Sequence, residues 1–274
     1  MSDELDDVVE HYEANREEER LAAGLDQLEL LRTREILSRY LPEAPAKIID
    51  VGGATGVHAR WLAEAGHHVH IVDVTPRHVA KARADLASLG VTAEVGDARQ
   101  LSAESETYDI ALVLGPMYHL PSRADRLTAL EEARRVVRPG GLIAVAAISR
   151  FASLFDGLAR EFLFQVEFQR MVVRDLADGR HENPERRPGW FTTAYFHHPS
   201  DLRAEAVGAG LDVADVFGVE GLAGWMAHLA PRWANDDDRD AILEAARAIE
   251  TEPSLLGLSA HLLLIAHAPP SLRP

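Results

Sequence analysis

The run "DVGGATG", Asp50 to Gly56, sets Gly52, Gly53 and Gly56 between an apolar stretch and a helix-like one. Glycine permits a tight turn and lets a backbone approach a ligand closely. A helix starting there offers its unpaired N–H groups to polar ligand atoms. A plain strand-to-helix turn also uses glycine, so the cluster alone is not specific. Asp73 adds a second signal. It lies near the end of the next apolar run, "HVHIVDV", where an acid can accept both hydroxyls of a ribose. Turn and acid together point to a nucleoside ligand without saying which one.

These residues need elements to hold them. "KIIDV" reads as a short buried strand, and residues 56–65 as a helix closed by Gly66. "HVHIVDV" is the second strand, and Thr75-Pro76 opens the next helix as N-cap and first helical residue. "VTAEVGDA" and "YDIALVLG" supply strands three and four. Ser122 caps "RADRLTALEEARRVV", and "RPGG" turns into the fifth strand, "LIAVAAIS". Such strict alternation predicts an α/β fold, a parallel sheet with helices on both faces.

Outside this unit the pattern changes. Residues 4–20 read as a charged helix and 25–40 as an amphipathic one, stopped by Pro42 and Pro45. Phe151, Leu154, Phe155, Leu158, Phe162 and Val166 recur at helical spacing, followed by a polar loop, "DGRHENPERRPGW". His181, inside that loop, is expected to be solvated. "HHPSDLRAEAVGAG" reads as a helix, "LDVADVFGV" as a strand, residues 222–250 as two helices, and "HLLLIAHAP" as a last strand. The run Asp236-Asp237-Asp238 suits a helix start.

Composition narrows the function classes. With 274 residues the chain can hold one large domain with an inserted part. It has no cysteine, which excludes disulfides, thiolate nucleophiles and thiolate-bound metals. Against 28 Lys and Arg stand 44 Asp and Glu, a net charge of −16 that repels phosphate backbones. A small-molecule partner is therefore expected, and no nucleic acid. No apolar run is long enough to cross a bilayer, and the acidic N-terminus is unlike a signal or transit peptide. No membrane partner and a cytoplasmic location are the expectation. His67, His68 and His70 lack carboxylates at ligand spacing, so no metal is expected.

From Lys47 to Ser149 the chain resembles the class I S-adenosylmethionine-dependent methyltransferases. "DVGGATG" is similar to the family's first motif, with Ala54 where the pattern has glycine; the extra methyl group fits if φ is negative there. "VDVTP" resembles the second motif and "VGDARQL" the third. "YDIALVLGPMYHL" and "RVVRPGGLIAVAA" resemble the fourth strand and the helix–turn–strand after it. The resemblance implies a Rossmann-like seven-stranded sheet, helices on both faces, with the last strand antiparallel between the fifth and sixth. It implies S-adenosyl-L-methionine as cofactor, held by Asp50, Gly52, Gly53, Ala54, Gly56, Asp73, Val74, Asp97, Ala98 and Leu114. Asp73 would take the ribose, Asp97 the adenine amino group and Ala98 the ring edge. The implied activity is in-line transfer of a methyl group to an oxygen or nitrogen of a small molecule, without metal or redox centre.

Further roles follow from the same resemblance. Residues 1–40 would form an N-terminal helical lid, with Tyr12, Arg20 and Arg32 as candidates to meet the cofactor carboxylate or the substrate. Residues 46–149 would be the cofactor-binding core, 150–198 a helical insertion, and 199–274 the rest of the sheet with a second helical insertion at 222–250, all one domain of residues 1–274. A homodimer, if formed, would use the insertions. "LGPMYHL" would face the methyl group, making His119 the first candidate base, Tyr118 a positioning residue and Met117 an apolar wall. His119 could equally cap the following helix or bond a backbone carbonyl. Trp190, Tyr195 and His197, near Phe191, Phe196 and His198, either roof the acceptor pocket or pack the insertion's core. A nicotinamide-dependent oxidoreductase shares the glycine turn and Asp73 but accounts for neither "VGDA" nor the final strand. A non-catalytic S-adenosylmethionine binder would carry the same pocket motifs.

Overall fold

The computed structural model describes residues 26–187, 189–226 and 229–270. Apolar runs too short for helices form the sheet: β1 (Lys47–Val51), β2 (His68–Asp73), β3 (Thr92–Val95), β4 (Tyr108–Val113) and β5 (Val137–Ser149). Between them lie α2 (Val57–Glu64), α3 (Pro76–Leu86) and α4 (Arg123–Val136), with α1 (Asp26–Ser38) ahead of β1. Strands β3, β2, β1, β4 and β5 lie side by side in that order, all parallel. Further on come β8 (Asp212–Gly218) and β9 (His261–His267). As expected, the last strand runs antiparallel, hydrogen-bonded to β5 on one side and β8 on the other.

Side chains on a strand alternate between faces, so each buried strand feeds two cores. Ile49, Val51, Ala111, Val113, Ile143 and Val145 share one core with Leu130 of α4. Ile48, Ile110, Leu112, Leu142 and Ala144 share the other with Leu62 of α2 and Val79 of α3. Both faces are thus covered, and the polar ends of the strands are left to meet a ligand.

The segment after β5 departs from the expected helices and loop. Helices α5 (Ala152–Ala159) and α6 (Val166–Asp178) form, but the polar run then makes a hairpin, β6 (Arg180–His181) with β7 (Ala194–His197). Strand β4 pairs with β5 only as far as Val145, and β7 takes up the pairing at Ile148 and Ser149. Nine strands are therefore described where seven were expected. Next come α7 (Pro199–Gly208), then α8 (Leu229–Trp233) and α9 (Asp236–Ile249) after β8. Asn235 caps α9, its side chain accepting from the Asp238 N–H at 3.0 Å. Leu28 of α1 packs with Leu229, Trp233, Ile242 and Leu243, while Ile36 and Leu37 reach the sheet. Helix α1 thereby ties α8 and α9 to the core.

Candidate active site

The turn after β1 is built on two close approaches. A β-carbon at Gly53 would sit 2.6 Å from the Asp50 carboxyl carbon. One at Gly52, where φ is +73°, would sit 2.6 Å from a Pro116 ring carbon. Only glycine meets both demands, so the first motif is keyed to Asp50 and to the turn after β4. Ala54 departs from the expected negative φ: it adopts +47°. Its N–H there donates to Asp73 Oδ2 at 3.0 Å, and the Thr75 N–H donates to Oδ1 at 2.8 Å. One carboxylate thus joins the ends of β1 and β2, with His78 Nδ1 3.4 Å from Oδ1.

A cavity opens over these strand ends. Asp50, Gly52, Gly53, Ala54, Asp73, Val74, Asp97, Ala98 and Leu114 line it, together with Tyr118 and His119. Gly56 does not; it packs against Leu86 and Ile71 at the start of α2. Tyr12 and Arg20 lie outside the described residues. Helix α1 contributes Glu29, Leu30 and Thr33, which no motif announced. Arg32 turns away from the cavity. It is fully buried, donating to the Val219 carbonyl at 3.2 Å and pairing with Glu35 and Glu250.

The cavity is electrostatically one-sided. Its described lining holds four carboxylates, Glu29, Asp50, Asp73 and Asp97, and no lysine or arginine. Asp50 is the extreme case. Burial, then the nearby Asp73 charge, pushes its pKa up to about 7. Neither carboxylate oxygen has a hydrogen-bond partner among the described residues. A buried carboxyl in this state is stabilised by a cation. Burial also acts against the charge on Asp97, yet its bonds from the Arg99 guanidinium and N–H hold it below the usual range.

A second cavity adjoins the first at Tyr118, which lines both. Phe168, Trp190, Phe191, Phe196 and Trp225 supply its aromatic walls, and Ser153, Asp156, Arg160, His181 and His261 its polar groups. Burial raises the Asp156 pKa, against the opposing pull of Arg160 and His181. His119 stacks on Phe191 with ring centres 6.1 Å apart, and Tyr118 meets the same ring edge-on at 6.4 Å.

Three expected acceptor residues are elsewhere. Met117 is fully buried in the core beside Ile49 and Val113 and lines neither cavity. Along β7, Ala194 and Phe196 share one face, so Tyr195 and His197 take the other. There the Arg126 guanidinium covers the Tyr195 ring at 3.5 Å, and His197 Nε2 lies 3.2 Å from Glu205. Trp190 alone of the four acceptor-wall candidates lines the second cavity. His181, expected in solvent, is 2 % exposed and belongs to that cavity too. Near it, Glu29, Glu220 and His261 bring ligand atoms within 4.8 Å of one another. Glu220 is already engaged there, by the Ser259 hydroxyl at 2.6 Å, the His261 N–H at 3.1 Å and the His261 ring.

Comparison with known proteins agrees with this geometry. Residues 48–141 match a family described as a methyltransferase domain. Ubiquinone biosynthesis O-methyltransferase of Pseudomonas aeruginosa is 27% identical over 182 residues, 64% of this chain and 68% of that protein. (+)-O-methylkolavelool synthase of Herpetosiphon aurantiacus is 32% identical over 142 residues, 48% of this chain and 49% of its own. Among solved structures, an S-adenosylmethionine-dependent methyltransferase from Mesorhizobium loti superimposes with a TM-score of 0.59 at 19% identity, covering 89% of this chain and 100% of that one. That last likeness is one of fold.

Proposed function

The chain belongs to the class I S-adenosylmethionine-dependent methyltransferases, and from that premise we propose that its methyl acceptor is a hydroxyl on a small aromatic molecule. Its activity is methyl transfer from S-adenosylmethionine to an oxygen or nitrogen of a small molecule by in-line displacement. The cofactor's sulfonium supplies an electrophilic methyl group; the protein's part is to align two reactants and exclude water.

One observation carries the reading. A cavity with four carboxylates and no described lysine or arginine adjoins an aromatic one at Tyr118. The first suits a ligand with an ammonium and a sulfonium, and opposes the pyrophosphate of a nicotinamide dinucleotide. Asp50 would take the ammonium group, which satisfies its unpartnered oxygens. Asp73 would accept the ribose hydroxyls, and Asp97 with Ala98 would hold the adenine. Tyr118, its hydroxyl donating to the Leu114 carbonyl at 3.3 Å, would separate the reactants' non-reacting parts. His119 would hold Phe191 in place from the cofactor side. The aromatic walls favour a planar acceptor, and both relatives named above are named for transfer to oxygen.

No described helix is long and apolar enough to cross a membrane. We further propose that the chain works in the cytoplasm on a diffusible acceptor and without nucleic acid, in line with its charge of −16. A panel of phenols, catechols and aromatic amines, scored by S-adenosylhomocysteine release, tests the acceptor. Turnover of phenols or catechols is expected; turnover of amines alone refutes the hydroxyl assignment.

A further inference from the structure

Helix α6 ends at Gly179, whose φ of +82° reverses the chain. A side chain there would strike the Phe196 carbonyl at 2.5 Å, so the reversal is tight. It swings His181 back against Asp175, which lies on the last turns of the same helix and is fully buried. His181 Nδ1 lies 2.8 Å from Asp175 Oδ2. A carboxylate has only lone pairs to offer, so Nδ1 carries the proton of this bond. In its neutral form the ring then presents a bare lone pair at Nε2. That atom is buried, has no hydrogen-bond partner among the described residues, and belongs to a side chain lining the aromatic cavity. The ring is fixed by stacking on Phe196, centres 4.7 Å apart, and by Phe191 at 6.3 Å.

A buried imidazole with one nitrogen oriented by a carboxylate and the other bare is the arrangement a general base needs. We propose that His181, oriented by Asp175, is the base that takes the proton from a phenolic acceptor in the aromatic cavity. The inference rests on the methyltransferase reading and deepens it. A phenol with a pKa of about 10 is almost wholly protonated at neutral pH, whereas a neutral amine needs no base to attack. As the acceptor oxygen bonds to the methyl carbon, the carbon–sulfur bond breaks and its electron pair stays on sulfur. The phenolic proton passes to Nε2, the imidazolium is held by Asp175, and the proton leaves to solvent after product release.

Other groups face this ring. On α5, Asp156 acts on it through space, with Arg160 3.5 Å from Asp156. On β9, His261 lines the same cavity, 3.7 Å from Glu29 and bonded to Glu220. His119 lies across Phe191, on the cofactor cavity.

The test compares wild type, His181→Asn, Asp175→Asn and His261→Asn with catechol and with nitrocatechol, whose acidic hydroxyl is ionised near neutral pH. Asparagine can keep the bond to Asp175 while removing the base. Calorimetry with S-adenosylhomocysteine verifies that each variant folds. With catechol, kcat in His181→Asn should fall about 100-fold or more. With nitrocatechol the loss should be under about tenfold, because no proton must be removed. Without cofactor, the visible spectrum of bound nitrocatechol should show ionisation at lower pH in wild type than in His181→Asn. Asp175→Asn should share these effects in weaker form. Equal losses with both catechols, or the larger effect in His261→Asn, would overturn the assignment. So would a wild type that binds S-adenosylmethionine but methylates neither catechol, and that outcome leaves the methyltransferase reading standing. A wild type that binds no S-adenosylmethionine overturns that reading itself.

Discussion

Asp50 is the residue at which folding and binding conflict. Its folded pKa, raised to about 7 by burial and by Asp73, exceeds the ordinary carboxylate value of about 3.9. A raised pKa in the folded state means that the native protein prefers the proton. Stability therefore falls as pH climbs from about 4 to about 7, by up to roughly 4 kcal/mol at 1.36 kcal/mol per unit. Asp50→Asn should melt higher than wild type at alkaline pH, level with it near pH ~4, and bind S-adenosylhomocysteine more weakly. In wild type the affinity should rise with pH up to about 7, by as much as about tenfold per unit, and then level off. Calorimetry in buffers of different ionisation heat reads the proton released on binding; a flat profile contradicts the role given to Asp50. Ala54 makes a smaller prediction. With φ at +47° it bears strain that glycine would not. Ala54→Gly should leave stability unchanged or raise it by up to about 1 kcal/mol, readable as a higher melting temperature.

At the scale of elements, α4 and α7 are joined by a buried network. Arg126 donates to both Glu205 oxygens, at 2.9 and 2.7 Å, and His197 lies 3.2 Å from the same carboxylate. Burial opposes the charge on Glu205, but these partners hold its pKa at about 2. A lowered pKa gives stability that is present above about 4.5 and lost as pH falls toward 2. Glu205→Ala strands a buried guanidinium and should cost about 3 kcal/mol in denaturant unfolding, with cofactor affinity unchanged in the folded protein.

The same region marks where sequence stopped being informative. From β1 to β5 each strand is a run with its own buried phase, and each helix has a recognisable start. These elements could be read directly from the chain, whereas the cavity residues on them came from the family resemblance, and of that set Gly56 lines no cavity. Strand β6 has two residues, too few for any period. His181 sits among Asp178, Arg180, Glu182 and Asn183, so its neighbours suggest solvent. Its burial comes from the reversal at Gly179 and from α5 and β7 closing over it, contacts with no local signature. Tyr195 and His197 stand out in the sequence as residue types, but nothing around them sets their phase. In a strand, a one-residue error in phase moves a side chain to the opposite face. Met117 lies inside a motif, yet the turn at Pro116–His119 points it into the core and leaves Tyr118 and His119 on the cavities.

For the whole molecule, the sheet brings an acidic cavity and an aromatic one together at its strand ends, with α1 closing one side of the first. Net charge, cavity charge and topology all favour a cationic nucleoside cofactor over a dinucleotide. The central claim is accordingly about that ligand. The most direct test is calorimetric titration of the full chain and of Asp73→Ala with S-adenosylmethionine, S-adenosylhomocysteine and NADH. Binding of the first two, no heat from NADH, and at least about a 10-fold loss of affinity in the variant are predicted, since Asp73 also fixes the Ala54 N–H. Binding of NADH in their place, or S-adenosylmethionine affinity untouched by Asp73→Ala, would contradict the account.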